Sequence, residues 1–213
     1  DLDGVHFTRA ARQAVLAGKE IVFYKAGRTP EGKTATSSHT ASLAGDYTVC
    51  ESCLTQAGAM VARSFNQFTE LYMLAKGLHG KTIAGNRLAA VSTAGYEAVG
   101  MADNITADDF ELRMAAFRPA TKQRISKALA ACGLDRLVEV KNPLDMNPAA
   151  TDALFTEVVD ALAADPGVDL AVIGMIPLTP SLSSLDMDAS QNIAERIGAI
   201  ARQSAKPIVA VVD

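Results

Sequence analysis

The sequence predicts an α/β protein with parallel sheets covered by helices, and three observations carry that prediction. Strand-length apolar runs alternate with amphipathic stretches along the second half of the chain, the pattern of βα units whose strands lie parallel. Residues 170–176 read Leu-Ala-Val-Ile-Gly-Met-Ile, apolar without alternation, as a strand buried on both faces requires. Hydrophobic residues make up 49% of the 213, aromatics only 5%, and Trp is absent. The core is therefore aliphatic, built from side chains small enough to seat helices closely on a sheet.

The first helix is predicted over residues 5–17, where Phe7, Ala10, Ala11, Ala14 and Val15 recur at helical spacing and Gly18 ends the run. A short strand at 21–24 follows. Then come the turn-rich Lys25-Ala26-Gly27-Arg28-Thr29-Pro30-Glu31-Gly32 and a small, polar loop, Ser37-Ser38-His39-Thr40-Ala41-Ser42-Leu43-Ala44-Gly45. A helix over 46–57 stops at Gly58, and 60–62 is another short strand. Ser64 with Gln67 three residues on forms a capping box for a helix striped by Phe68, Leu71, Tyr72 and Ala75.

Residues 77–86 are glycine-rich and aperiodic, which marks a domain boundary. Beyond them the pattern restarts with a strand at 87–92, the turn Thr93-Ala94-Gly95 and a helix at 96–104. A strand at 112–117 and a helix after Pro119, carrying Ile125, Ala128, Leu129 and Cys132, come next. A strand at 137–140 runs into Lys141-Asn142-Pro143-Leu144-Asp145. The helix with Leu154, Phe155, Val158 and Leu162 stops before Asp165-Pro166-Gly167. After the strand at 170–176, a helix with Ile193, Ile197, Ile200 and Ala201 leads to a final strand at 208–212. Ala11-Arg12-Gln13 before Lys19-Glu20-Ile21-Val22 echoes Ala201-Arg202-Gln203 before Lys206-Pro207-Ile208-Val209. The expected division is 1–78, a linker at 79–86, and 87–213. The first part supplies only about two strands, few for an open sheet, so the sequence reads as a piece of a longer polypeptide.

Composition excludes several classes of function. A formal net charge of -4 argues against nucleic acid or an anionic membrane as the main partner. No apolar run of about 18 residues is present, and Asp1-Leu2-Asp3-Gly4 is not a signal peptide. Cys50, Cys53 and Cys132 do not make a disulfide framework. Cys50 and Cys53 share a helix face with Val49, Leu54 and Ala57, so both thiols are expected to face the core. A metal site would need more ligands than this pair offers, and no metal is predicted. A cytoplasmic address follows from the cysteine usage.

The chemistry centres on His39. A strand–loop–helix unit presents its loop at the carboxyl end of a parallel sheet, where such folds bind ligands. A neutral imidazole is a nucleophile near pH 7 and forms a labile phosphoramidate. Hydroxyls from Ser38, Thr40 and Ser42, with the amino end of the helix near Asp46, suit a phosphoryl dianion, because each contributes only part of a charge. A solvated loop histidine is the plainer alternative. His6, in a first helical turn, and His79, in the linker, read as surface residues. Lys25 and Arg28 are phosphate binders or rim charges, at even weight. Asn142 and Asp145 are crevice ligands or parts of a simple turn with a capping Asp.

Tyr24-Lys25-Ala26-Gly27-Arg28-Thr29, then Ser38-His39-Thr40, then Ser42-Leu43-Ala44-Gly45 resembles the NDP-forming acyl-CoA synthetases. That family includes ADP-forming acetyl-CoA synthetases and has the succinyl-CoA synthetase alpha subunit as a relative. Asn142-Pro143-Leu144-Asp145 and Asp165-Pro166-Gly167-Val168-Asp169 resemble strings of the family's next domain, in the right order. The resemblance implies two flavodoxin-like, succinyl-CoA synthetase-like parallel-sheet domains. Residues 1–78 would be the carboxyl-terminal portion of the phosphohistidine domain, incomplete here, and 87–213 most of a second ligase-type domain.

It implies an acid–CoA ligase, ADP- or GDP-forming, that interconverts acyl-CoA, phosphate and ADP with acid, CoA and ATP through a phosphohistidine at His39. Ser38, Thr40, Ser42, Thr93, Ala94 and Gly95 would bind phosphate, the last three from across a domain interface. Glu97, Asn142 and Asp145 would stand behind them. CoA, ATP or ADP and Mg²⁺ belong to the intact enzyme, with CoA-binding and ATP-grasp domains or subunits as partners in an oligomer. The fragment alone is expected to be inactive. Two departures stand out: Ala41 replaces the family's glycine after His-Thr, and Thr93-Ala94-Gly95-Tyr96-Glu97 replaces a turn often reading N-A-G-G. Glu97 would repel a phosphate or else orient the imidazole. These departures keep open a non-catalytic member that binds CoA esters or a partner chain.

Overall fold

The computed structural model describes residues 3–40, 45–107, 110–184 and 192–212. They form two compact α/β units, Asp1–His79 and Gly80–Asp213. No described helix is long and apolar enough to cross a membrane.

The first unit runs α1 (Gly4–Leu16), β1 (Val22–Tyr24), α2 (Pro30–Thr40), α3 (Tyr47–Gln56), β2 (Met60–Ala62) and α4 (Phe65–Leu78). Capping residues start three of its helices: Asp3 accepts from the Val5 and His6 amides, Asp46 from Val49, and Ser64 from Gln67. The Gln67 carbonyl answers by accepting from the Arg63 amide at 2.7 Å. β1 and β2 pair in parallel, Val22 opposite Met60 and Tyr24 opposite Ala62. The core here is small: Ala11, Leu54, Ala57 and Ala59, with Phe7, Ile21, Phe23, Cys50 and Val61 packed against it. Cys50 thus touches the core, and Cys53 is half-buried. His6 and His79 are exposed, as expected.

The stretch read as turns and a loop is instead helical from Pro30 through Thr40. Thr29 starts it, its hydroxyl accepting from the Gly32 amide at 3.1 Å, and Pro30 supplies a preset φ in the first turn. Thr34 and Thr36 return their hydroxyls to the carbonyls of Pro30 and Gly32, at 3.0 and 2.8 Å. Small polar residues that favour loops are accommodated in the helix by such back-bonding.

The second unit comprises β3 (Arg87–Ser92), α5 (Gly95–Asp103), β4 (Thr106–Ala107), β5 (Phe110–Glu111), β6 (Arg113–Met114), α6 (Pro119–Ala131), β7 (Leu144–Asp145), α7 (Asp152–Ala164), β8 (Leu170–Met175), α8 (Ile193–Gln203) and β9 (Ile208–Val212). Its parallel sheet has the order β6-β3-β8-β9, with β7 also beside β3. In chain order that is second, first, third, fourth, the flavodoxin-like arrangement. Ala89, Val91, Ile173 and, from α7, Phe155, Val158, Val159 and Leu162 are fully or almost fully buried in one continuous core.

Two sequence expectations change here. The strand at 112–117 shrinks to β6, and β4–β5 add a small antiparallel hairpin before it. Residues 137–140 are not a strand. The amides of Leu137 and Val138 both return to the Leu134 carbonyl, making a turn, and Leu137 is exposed. The pairing along that edge of β3 is completed by a side chain instead. Asn142 Oδ1 accepts from the Ala90 amide at 3.0 Å, and its Nδ2 donates to the carbonyls of Leu88 and Ala115 at 2.7 and 3.0 Å. Asn142 is therefore committed to the sheet between β6 and β7, which answers the crevice-ligand expectation in favour of structure. Cys132 caps α6 and is exposed rather than in its apolar stripe.

At the amino edge of the sheet, Asp169 accepts from the Arg87 amide and from two guanidinium nitrogens, at 2.7–2.9 Å. These bonds hold its carboxyl down to about 2 and raise the Arg87 guanidinium. Asp165 caps the turn below, accepting from the Gly167 amide at 2.6 Å and the Arg118 amide at 2.9 Å. The Asp165-Pro166-Gly167-Val168-Asp169 string is thus a structural clasp.

Candidate functional site

In a sheet of this order, ligands bind outside the carboxyl ends of the two strands from which connections diverge to opposite sides. Those strands are β3 and β8. Ser92 ends β3 and Thr93 follows it, both fully buried or nearly so, and the Ala94-Gly95 turn opens α5. The amino end of α5 has no side-chain cap, so its first N–H groups and the positive end of its dipole are available to an acceptor.

Ser92 Oγ accepts from the Ala94 amide at 3.0 Å and also bonds Glu97 Oε2. That fixes Glu97, in the first turn of α5, against the end of β3. Glu97 Oε1 is buried and has no hydrogen-bond partner among the described residues. Gly174 in β8 makes the room: a Cβ there would collide with Glu97 Oε2 and lie 2.8 Å from Met101 and 2.9 Å from Ser92. Gly95 has a similar reason, because a Cβ there would lie 2.8 Å from Asp145 Oδ2. The Asp145 carboxylate, whose other oxygen accepts from the Asn147 amide at 3.1 Å, therefore stands beside the open end of α5. Thr179, after β8, places its hydroxyl 3.4 Å from that of Thr93.

The structure brings together Thr93, Ala94, Gly95, Glu97 and Asp145 of the expected set, and removes Asn142 from it. Sequence reading missed Gly174 and Thr179. A glycine inside an apolar strand run does signal a close approach, and Gly174 was legible on that ground.

In the first unit, His39 lies in the last turn of α2, and Ser38 and Thr40 flank it on the same helix. The side chains of residues 38–40, and all of 41–44 with Ala41 and Ser42, lie outside the described residues. The amino end of α3 is occupied by Asp46, whose carboxylate caps the Val49 amide at 2.9 Å. Lys25 is committed to backbone carbonyls, donating to Gly45 at 2.9 Å and Ala26 at 3.4 Å, and Arg28 is exposed. Tyr47 begins α3 with its hydroxyl oxygen buried, unpartnered among the described residues, and burial raises its pKa. A cleft of about 1090 Å³ opens between α1, β1 and α3, floored by Phe7, Phe23, Cys50 and Leu54. No group of three or more His, Cys, Asp or Glu among the described residues could hold a metal ion.

Residues 2–75 match the model of the succinyl-CoA ligase like flavodoxin domain. Over 170 residues, 80% of this chain, the sequence is 31% identical to the alpha subunit of acetate–CoA ligase [ADP-forming] II of Pyrococcus furiosus. It is 32% identical over 175 residues, 82% of the chain, to acetate–CoA ligase [ADP-forming] I of Archaeoglobus fulgidus. Both alignments exceed the length of the first unit and so extend into the second. The chain spans 35% and 24% of the length of these two relatives. The fold covers 98% of this chain and 42% of the dinucleotide forming acetyl-coenzyme A synthetase 1 of Ca. Korarchaeum cryptofilum, a structure in complex with phosphate and ADP, at a TM-score of 0.68 and 24% identity. The sequence likeness across both units and the matching domain model show that the chain belongs to the NDP-forming acyl-CoA synthetase family.

Proposed function

We propose that this chain contributes the phosphoryl-carrying part of an acid–CoA ligase, ADP- or GDP-forming. In the energy-conserving direction, phosphate attacks the acyl carbon of acyl-CoA and releases CoA as thiol, leaving an acyl phosphate. One ring nitrogen of His39 then attacks phosphorus and displaces the free acid. The phosphohistidine finally gives its phosphoryl group to a nucleoside diphosphate, regenerating neutral imidazole and forming ATP or GTP. A neutral imidazole suits both transfers, because the P–N bond it forms is labile.

The observation that carries this reading is the ordered set of strings: Lys25-Ala26-Gly27-Arg28-Thr29, Ser38-His39-Thr40 and Asn142-Pro143-Leu144-Asp145. They lie in a chain whose likeness to ADP-forming ligases spans both units. Ser38, Thr40 and Ser42 would donate to the phosphoryl oxygens from the His39 side. Within the second unit, Thr93, Ala94 and Gly95 would bind phosphate at the amino end of α5, whose uncapped N–H groups support anion binding. Glu97 would stand behind the phosphate-binding turn of the second unit, held there by its bond to the Ser92 hydroxyl. CoA, nucleotide and Mg²⁺ are assigned to CoA-binding and ATP-grasp modules on the same polypeptide or a partner subunit.

The Glu97 and Asp145 carboxylates beside α5 favour one competing reading. They would repel a dianion, as expected of a member that binds CoA esters or a partner without phosphoryl transfer. The full polypeptide with its partner modules separates the two when assayed for ATP formation from acyl-CoA, phosphate and ADP. Catalysis that falls at least a thousandfold in His39→Asn, an order-of-magnitude expectation for loss of a nucleophile, supports the ligase. Tight CoA-ester binding with no turnover in the parent protein supports the competing reading.

A further inference from the structure

We infer that Asp152 is a positioning residue that latches the segment following β8 and so sets Thr179 against Thr93 beneath the open end of α5. Both of its carboxylate oxygens grip one residue: Oδ1 accepts from the Ser183 amide at 2.9 Å, and Oδ2 bonds the Ser183 hydroxyl. The anchor is firm. Asp152 occupies the first turn of α7, where the helix dipole favours a carboxylate, and Thr151 caps that helix. Leu154, Phe155, Val158, Val159, Ala161 and Leu162 bury α7 in the core.

The segment between the two anchors is a tight coil. The Thr179 amide donates to Ile176, the Leu182 amide to Thr179, each at 3.1 Å, and the Ser184 hydroxyl bonds the Pro177 carbonyl. Leu182 is buried in the core. With β8 holding its start and Asp152 its end, the coil sets the Thr179 hydroxyl 3.4 Å from that of Thr93. Releasing Ser183 frees the coil at one end and removes what fixes the Thr93 hydroxyl. The consequence for phosphate handling rests on the ligase reading above, whereas the latch itself does not.

The test uses the full polypeptide with Asp152→Ala and Asp152→Asn. Asparagine keeps both contacts, its carbonyl accepting from the Ser183 amide and its amide donating to the Ser183 hydroxyl; alanine keeps neither. Amide hydrogen exchange in peptides covering 176–184 and 94–98 should quicken at least severalfold in Asp152→Ala and stay near the parent in Asp152→Asn. Faster exchange at 176–184 with 94–98 unchanged, or no change at either, overturns the inference. Should Asp152→Ala fail to fold, Ser183→Ala, which keeps the backbone bond, is read by the same two peptides with a smaller increase expected. In the assembled ligase, Asp152→Ala should raise KM for phosphate severalfold with kcat largely kept, and Asp152→Asn should restore it. An unchanged KM in an active enzyme also overturns the positioning role. A parent protein with no phosphate-dependent activity counts against the ligase reading alone, and exchange then decides the latch.

Discussion

The two units make the same passage from helix to strand and join it to different sheets. In the first, Ala11-Arg12-Gln13 of α1 leads past Lys19 into β1. In the second, Ala201-Arg202-Gln203 at the end of α8 leads past Lys206 into β9. Lys19 is exposed. Lys206 instead donates to the Asp165 carbonyl at 2.6 Å, and burial lowers its ammonium pKa. The difference lies in the sheet each passage joins. β1 meets only β2, over three residue pairs, whereas β9 extends a sheet whose inner strands β3 and β8 are covered on both faces. Burial of that kind supports buried polar groups, Asp169 at the amino edge and Ser92 and Thr93 at the carboxyl end, and the last two help set the geometry of the candidate site. The first unit leans on local caps, and its reactive candidate sits on a helix, α2, held by hydrogen bonds within its own turns.

The largest effect expected from this contrast concerns the cores. Phe155→Ala should destabilise the second unit by about 3–5 kcal/mol. Leu54→Ala should cost the first about 2–3 kcal/mol, because that core is small and Leu54 borders an open cleft. Denaturant unfolding followed by exchange in peptides from each unit would measure both, and equal losses would break the comparison.

A smaller effect belongs to the clasp at the amino edge of the second sheet. Asp169→Asn should lose about 1–3 kcal/mol at neutral pH by weakening the hydrogen bonds that a buried carboxylate makes to the half-exposed Arg87. The folded-state pKa of Asp169 is depressed to about 2 from 3.8. Its contribution is therefore fully present above 3.8 and fades as the pH falls through 2. Acid unfolding of the parent protein should steepen across that window relative to the variant, in peptides of the second unit only. Parallel acid profiles would contradict the assignment.

Smallest is Asp46→Ala, which removes the cap of α3 and should cost the first unit about 1 kcal/mol. A comparable loss in the second unit would show that the units share stability more than their separate cores imply.

Much of this architecture was legible because burial writes itself into sequence. β3 and β8 fall on the two apolar runs at 87–92 and 170–176, and Asp46 and Ser64 cap the helices they were expected to start. The misreadings share a cause: a side chain replaced a backbone pattern. Asn142 supplies hydrogen bonds that a strand at 137–140 would have made, and Thr34 and Thr36 fit a loop-like composition into helix by donating their hydroxyls to the carbonyls of Pro30 and Gly32. Of the candidate site, the Thr93-Ala94-Gly95 turn and Glu97 could be found by reading along the chain. Thr179 and Asp152 could not, since their roles depend on contacts 86 and 31 residues away.

The measurement closest to the central claim is where phosphorus goes. The full polypeptide, incubated with nucleoside triphosphate labelled in its terminal phosphoryl group, should acquire acid-labile, base-stable label, and digestion should recover it on the peptide containing His39. Free acid with CoA should then discharge it. Label retained at full level in His39→Asn, or recovered on another residue, would contradict the account.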